Sequence, residues 1–246
     1  MNKILLSFIL TSIAGLSTIL GYFIIYIKGN KNKIISLTLA FASGVMLTIS
    51  VTDLIPSSFT YLKDYNFFFR LLLITFSFIL GIFLSYYISL KVEKEHTNSL
   101  KKIGIISMLA IILHNIPEGI ITFMVTGINL NLGIKLVIAI SLHNIPEGIS
   151  IAIPLFYATK NKLKTFFMVL ISGLSEILGA ILSYLFLSKL MNNFLIGNIF
   201  SLIAGIMINI SLTEILPETF KYQENKYLYL GFSLGVIIMI ISHFIL

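Results

Sequence analysis

Eight long apolar segments, separated by short polar stretches, make up almost the whole chain. They cover roughly residues 4–27, 34–58, 67–90, 103–126, 133–157, 164–187, 194–218 and 227–246. A helix needs about 20 apolar residues to cross a bilayer. The pattern therefore predicts an all-α polytopic membrane protein with eight transmembrane helices. The connections are too short to form a further domain, so residues 1–246 are predicted to be a single transmembrane domain.

The composition supports a membrane protein and excludes several kinds of site. Charged residues make up 11% of the chain, whereas soluble domains carry about 25%. No nucleic acid is needed to explain the net charge of +7, because cytoplasmic loops collect lysine and arginine. The absence of cysteine excludes disulfides and thiolate ligands.

The first segment could be a signal peptide or a retained helix. Lys3 precedes an apolar run, and residues 12–14 resemble a cleavage site. The run nevertheless continues to Ile27, which is long enough to span the membrane. We therefore expect the first segment to be retained as a helix.

The distribution of basic residues predicts the orientation. The first, third, fifth and seventh loops hold twelve lysines, whereas the opposite side holds five lysines and arginines. Because lysine and arginine accumulate on the cytoplasmic side, the odd loops are predicted to be cytoplasmic. Both termini are then extracytoplasmic in a multi-pass protein of the cell membrane.

One motif, His-Asn-Ile-Pro-Glu-Gly, occurs at 114–119 and again at 143–148, in the fourth and fifth segments. In a helix its histidine and glutamate share a face, and its proline frees a backbone carbonyl that must find a partner. Two kinked helices with nitrogen and oxygen donors on one face predict an intramembrane metal site. The candidate ligands are His114, Asn115, Glu118, His143, Asn144 and Glu147.

A second repeat relates the second segment to the seventh. Residues 44–56 align with residues 205–217, and both end in Ser-x-Thr-acid-x-x-Pro. Segments two and seven cross the membrane in opposite directions, as do segments four and five. The sequence therefore predicts an inverted repeat in which spans 1–3 match spans 6–8 around spans 4–5, a pattern typical of secondary transporters.

Six of the ten carboxylates lie inside predicted spans, where a charge costs about 3 kcal/mol. Glu176, on the sixth span, is either a third-helix metal ligand or a protonated acid bonded to a serine. Asp53 and Glu214 are repeat equivalents that either line the pathway or cap helices. His96, in the third loop, either holds metal transiently or is simply solvated.

On these motifs the chain resembles the ZIP family, the Zrt-, Irt-like metal-ion transporters, and within it the bacterial zinc-uptake branch. The resemblance implies two adjacent metal positions. One comprises His114, Glu118, His143 and Glu147; the other comprises Asn115, Asn144 and Glu176, with Glu118 and Glu147 bridging. It also implies that Asp53 and Glu214 lie near the pathway, that the protein is a homodimer, and that spans 1, 4, 5 and 6 move against 2, 3, 7 and 8. Many members have a long histidine-rich third loop; here it is short and holds only His96.

We therefore expect a transporter that imports a divalent cation, with zinc favoured over Fe²⁺, Mn²⁺, Co²⁺ or Cd²⁺. The cation is the substrate rather than a cofactor, and the expected partners are metal ions and the bilayer. One alternative is an intramembrane metal-dependent hydrolase, although His-Glu-x-x-His is absent. Another is a metal sensor without transport. The duplicated motif favours transport over an enzyme, because a hydrolase needs an asymmetric site.

Overall fold

Ten α-helices follow one another along the part of the chain that the computed structural model describes, residues 3–95, 98–187 and 192–245. They are α1 (Lys3–Tyr22), α2 (Lys31–Ile49), α3 (Ile55–Tyr61), α4 (Phe67–Glu95), α5 (Ser99–Ile128), α6 (Leu130–Thr159), α7 (Lys162–Leu182), α8 (Asn193–Ile210), α9 (Leu216–Phe220) and α10 (Asn225–Ile245). The short helices α3 and α9 prolong α2 and α8.

The eight predicted spans are confirmed within the described ranges. The segments long and apolar enough to cross a membrane are Lys3–Tyr26, Lys31–Tyr61, Phe67–Val92, Ser99–Ile128, Leu130–Thr159, Lys162–Leu185, Asn193–Phe220 and Asn225–His243. Most extend a few residues beyond the apolar runs, because asparagine side chains in the loops cap the helices. The capping residues are Asn30, Asn98, Asn129, Asn161 and Asn192.

The helix packing has the predicted inverted repeat. The first span, α1, packs on α6, and its counterpart α7 packs on α5. Likewise α2 packs on α10, and its counterpart α8 packs on α4. Exchanging spans 1–3 with spans 6–8, and span 4 with span 5, converts the α1–α6 contact into the α7–α5 contact. The same exchange converts the α2–α10 contact into the α8–α4 contact. A pseudo-twofold axis therefore relates the two halves.

Close approaches between helices follow the same symmetry. Gly21 faces the backbone carbonyl of Ile145, and Gly179 faces that of Ile116. A side chain on either glycine would collide with that carbonyl. These glycines belong to a repeat that our sequence analysis missed, in which residues 13–21 and 171–179 share seven of nine residues.

The π-helical turns in the described part of the chain lie outside the two motif-bearing helices, α5 and α6. Helices α5 and α6 continue through Pro117 and Pro146, since a proline removes only one hydrogen bond and the next turn can resume the ladder. Wider π-helical turns occur instead at Ser50–Leu54 and Ser211–Ile215. They occupy equivalent positions of the second repeat, and such turns are frequent at functional sites.

Candidate metal centre

All seven predicted ligands lie in the protein interior, on the adjoining helices α5, α6 and α7. None is more than 8% exposed. They are His114, Asn115, Glu118, His143, Asn144, Glu147 and Glu176. Because the motif repeats on antiparallel neighbours, α5 and α6 present the same residue types to each other across the pseudo-twofold axis.

A single carboxylate oxygen lies between the two imidazoles. Glu118 Oε1 is 3.2 Å from His114 Nε2 and 3.1 Å from His143 Nε2. Glu147 Oε1 lies 3.6 Å from His114 Nε2. Ligand atoms of His114, Glu118 and His143 all lie within 4.8 Å of one another. These two nitrogens and one carboxylate oxygen could hold one divalent cation.

Most of the remaining acceptors in this cluster have no hydrogen-bond donor among the described residues. They are both oxygens of Glu147, Oε1 of Glu176, Oδ1 of Asn115 and Oδ1 of Asn144. Buried acceptors are normally paired, since an unpaired one costs about 1–3 kcal/mol. Several unpaired acceptors in one place are the arrangement that a cation would satisfy.

The asparagine amides fix the cluster to the neighbouring helices. Asn144 Nδ2 donates to the Ala14 carbonyl at 3.0 Å and to Glu176 Oε2 at 2.9 Å. Its repeat partner, Asn115, donates to the Ser172 carbonyl at 3.1 Å. With the N–H groups so engaged, each amide oxygen is left facing away from these bonds. Glu176 is thus bonded to an amide, not to the serine that one interpretation expected.

A cavity of about 460 Å³ connects the cluster with one surface of the protein. Glu118 and His143 line its buried part, and Asp53, Lys135 and His243 line its exposed part. Asp53 Oδ1 is 2.9 Å from His243 Nδ1, and both side chains are more than 40% exposed. The cavity lies on the side predicted to be extracytoplasmic.

The opposite side of the protein is joined by polar contacts between α5 and the end of the seventh span. Lys102 Nζ lies 3.1 Å from Glu214 Oε2. Ser99 Oγ donates to Glu218 Oε1 at 3.0 Å, and the Glu218 side chain is buried. Burial and the Glu218 carboxylate raise the pKa of Tyr222, so its hydroxyl stays protonated and donates to Glu218.

Asp53 and Glu214 thus lie at opposite ends of the molecule, and neither belongs to the central cluster. His96 lies outside the described residues. The sequence analysis missed Lys102 and Lys135, which accompany these carboxylates. One signal could have identified them. Each lysine lies about one helical turn after the start of its span, and that start is on the same side of the protein as the accompanying carboxylate.

The comparisons with known proteins agree on one family. The family model described as "ZIP Zinc transporter" matches residues 89–243. Proteins named "Zinc transporter ZupT" are similar over nearly the full length. The protein from Oceanobacillus iheyensis is 39% identical over 98% of both chains, and that from Streptococcus mutans is 36% identical over 96% of both chains. Another, from Clostridium perfringens, is 34% identical over 98% of this chain and 96% of its own. The chain therefore belongs to the ZIP zinc transporter family.

Proposed function

We propose that residues 1–246 form one transport domain that carries zinc into the cytoplasm through the buried cluster. The observation that carries this proposal is the concentration of unpaired acceptors around two imidazoles, in the middle of two membrane-spanning helices. A zinc ion would exchange its water for imidazole, carboxylate and amide groups. The names of the relatives support zinc as the substrate.

We place two adjacent metal positions in the cluster. His114, Glu118, His143 and Glu147 supply the first, where both histidines must be neutral to bind. Asn115, Asn144 and Glu176 supply the second, and the two motif glutamates bridge. Fe²⁺, Mn²⁺, Co²⁺ and Cd²⁺ are further substrates to test, since nitrogen and oxygen donors accept them.

The contacts on the two sides support a direction. The cavity leaves Glu118 and His143 open toward the side with few basic residues, and the Lys102–Glu214 pair closes the side with many. With the termini extracytoplasmic, this arrangement receives an ion from outside. Separation of the Lys102–Glu214 pair would then release the ion to the cytoplasm.

Transport explains the site better than the two alternatives. A hydrolase needs one distinct general base and an open ligand position, whereas the two motifs face each other with matched residues. A sensor would need no cavity that leads to one side and closes on the other.

We also propose that lipid covers the exposed apolar side chains of α4 and α10, and that the protein is a homodimer, as its resemblance to the family implies.

The direct test is zinc accumulation in liposomes that contain the purified protein and a zinc-sensitive dye. We expect accumulation that saturates with external zinc and that competing Cd²⁺ or Fe²⁺ reduces. Stoichiometric binding without accumulation would favour the sensor, and the transport proposal would then be abandoned.

We expect Asp53→Asn to raise the zinc concentration for half-maximal uptake about two- to fivefold at low salt, with an unchanged maximal rate. The exposed carboxylate concentrates cations at the cavity mouth, and salt screens such attraction. Asp64→Asn, in an exposed loop on the same side, is the control and should change little. An equal effect of both variants, or one that persists in high salt, would contradict a local role for Asp53.

We expect Lys102→Gln to open the cytoplasmic side. The chain contains no cysteine, so a single Ser211→Cys reporter, buried in the same π-helical turn as Glu214, can be labelled without background. Labelling from the cytoplasmic face should rise several-fold in Lys102→Gln and stay unchanged in Lys101→Gln. Equal labelling in all three proteins would show that the Lys102–Glu214 pair does not close this side.

A further inference from the structure

The symmetry of the proposed metal centre fails at one position. The pseudo-twofold axis exchanges His114 with His143, Asn115 with Asn144, and Glu118 with Glu147. It also exchanges α1 with α7, and the repeat at 13–21 and 171–179 aligns Thr18 with Glu176. The centre therefore has Glu176 on one side and a threonine on the equivalent other side.

Contacts in the structure establish this equivalence independently of the alignment. The carbonyl of Glu176 meets Gly119 of the first motif, and the carbonyl of Thr18 meets Gly148 of the second. The residues four positions earlier, Ala14 and Ser172, accept equivalent hydrogen bonds. Asn144 donates to the Ala14 carbonyl, and Asn115 donates to the Ser172 carbonyl.

The hydroxyl of Thr18 is buried and has no partner among the described residues. Its side chain is fully buried, and Oγ1 makes no hydrogen bond there. A helical threonine usually donates to the carbonyl four residues earlier, as Thr48 does to Gly44. For Thr18 that acceptor is Ala14, whose carbonyl already accepts from Ser17 at 2.6 Å and from Asn144 at 3.0 Å.

Thr18 and Glu176 each lie beside the equivalent glycine of the opposite helix. The Glu176 side chain passes Gly15, where any added Cβ would meet the glutamate Cβ. Gly173, the equivalent glycine of α7, faces the Cβ of Thr18 in the same way. The two side chains therefore leave their helices at equivalent points of the α1–α7 contact.

We infer that Thr18 is a further residue of the metal centre and supplies its hydroxyl oxygen to the second metal position, opposite Glu176. This inference rests on the proposed two-position site. A neutral oxygen here adds a ligand without a fourth carboxylate, so the ion is held loosely enough to leave. An additional hard oxygen also favours Mn²⁺, which prefers carboxylate, carbonyl and water ligands.

The test is calorimetric titration of the purified full-length protein with Zn²⁺ and with Mn²⁺. Thr18→Val keeps the shape of the side chain but removes the hydroxyl. If the titration resolves two zinc-binding sites, we expect Thr18→Val to lower the affinity of the weaker site about 10- to 100-fold, as losses of supporting ligands do. The affinity for Mn²⁺ should fall further, and the affinity of the stronger zinc site should be unchanged. Thr18→Ser, which restores a hydroxyl, should bind both metals as wild type does.

A second variant keeps the inference testable if the valine protein fails to fold. Thr18→Glu should fit beside Gly173, raise the zinc affinity of the weaker site at least tenfold and slow zinc uptake. Unchanged zinc affinities at both sites, in Thr18→Val or in Thr18→Glu, would overturn the role of Thr18 and leave the proposed function standing. A serine variant as weak as the valine variant would show a packing effect and would also overturn it. Binding of only one zinc ion per wild-type protein would contradict the second metal position itself. Failure of the transport proposal would be seen separately, as absent zinc uptake by the wild-type protein.

Discussion

We expect Glu118→Gln to reduce zinc uptake in proteoliposomes at least a hundredfold. Glu118 Oε1 lies 3.1–3.2 Å from both imidazoles, and glutamine replaces this anionic oxygen with a neutral amide at nearly unchanged volume. Supporting groups of metal sites cost 10- to 100-fold when removed, and a direct ligand should cost no less. Because Glu118 also lines the cavity, the ion would lose its first anionic contact as well.

The matched control is again Asp64→Asn, which neutralises an exposed loop carboxylate on the side of the protein where the cavity opens. Glu147→Gln should have an effect of similar size, and the double variant should lose less than the product of the single effects, because both residues serve one site. Near-normal uptake by a folded Glu118→Gln protein would be incompatible with transport through this cluster.

The second large effect is expected from Gly119→Ala. A Cβ at this position would collide with the carbonyl of Glu176, so α7 would have to move away from α5. Overpacking of this kind typically costs about 1–3 kcal/mol. Because the move would also displace Glu176, we expect a lower thermal midpoint and at least a tenfold loss of uptake, both measured on the same preparation.

Gly127→Ala, on the same helix, separates packing from helix propensity. Among the described residues, a Cβ at Gly127 would meet only Ser7 Oγ, at an ordinary contact distance of 3.6 Å. Alanine favours helix over glycine by about 1 kcal/mol, so this control should be neutral or slightly stabilising. If Gly119→Ala were as stable and active as Gly127→Ala, the close α5–α7 contact would not position the site.

The spans and the duplicated motif were predictable because each depends on local composition and spacing. An apolar run long enough to cross a membrane has few other uses. A histidine four residues before a glutamate must share its helical face. The same reasoning led to Glu176, since a buried carboxylate in a span needs a partner or a cation.

Other features depend on tertiary contacts and could not be deduced from such patterns. The Lys102–Glu214 pair joins two spans that are distant in sequence, and Asn144 rather than a serine holds Glu176. Thr18 escaped notice because a threonine in a span is unremarkable on its own. Its equivalence to Glu176 and its buried, unpartnered hydroxyl give it significance.

The interleaved packing also has a consequence for how the chain is synthesised. The principal partner of α2 is α10, and that of α1 is α6, so each early helix enters the bilayer well before its neighbour exists. Helix α5 brings His114 and Glu118 into this unfinished assembly before α7 is available to cover them. Ribosome-bound chains that end after α6 should therefore depend on the insertion machinery to shelter these polar groups, and release should follow only once α7 has been made.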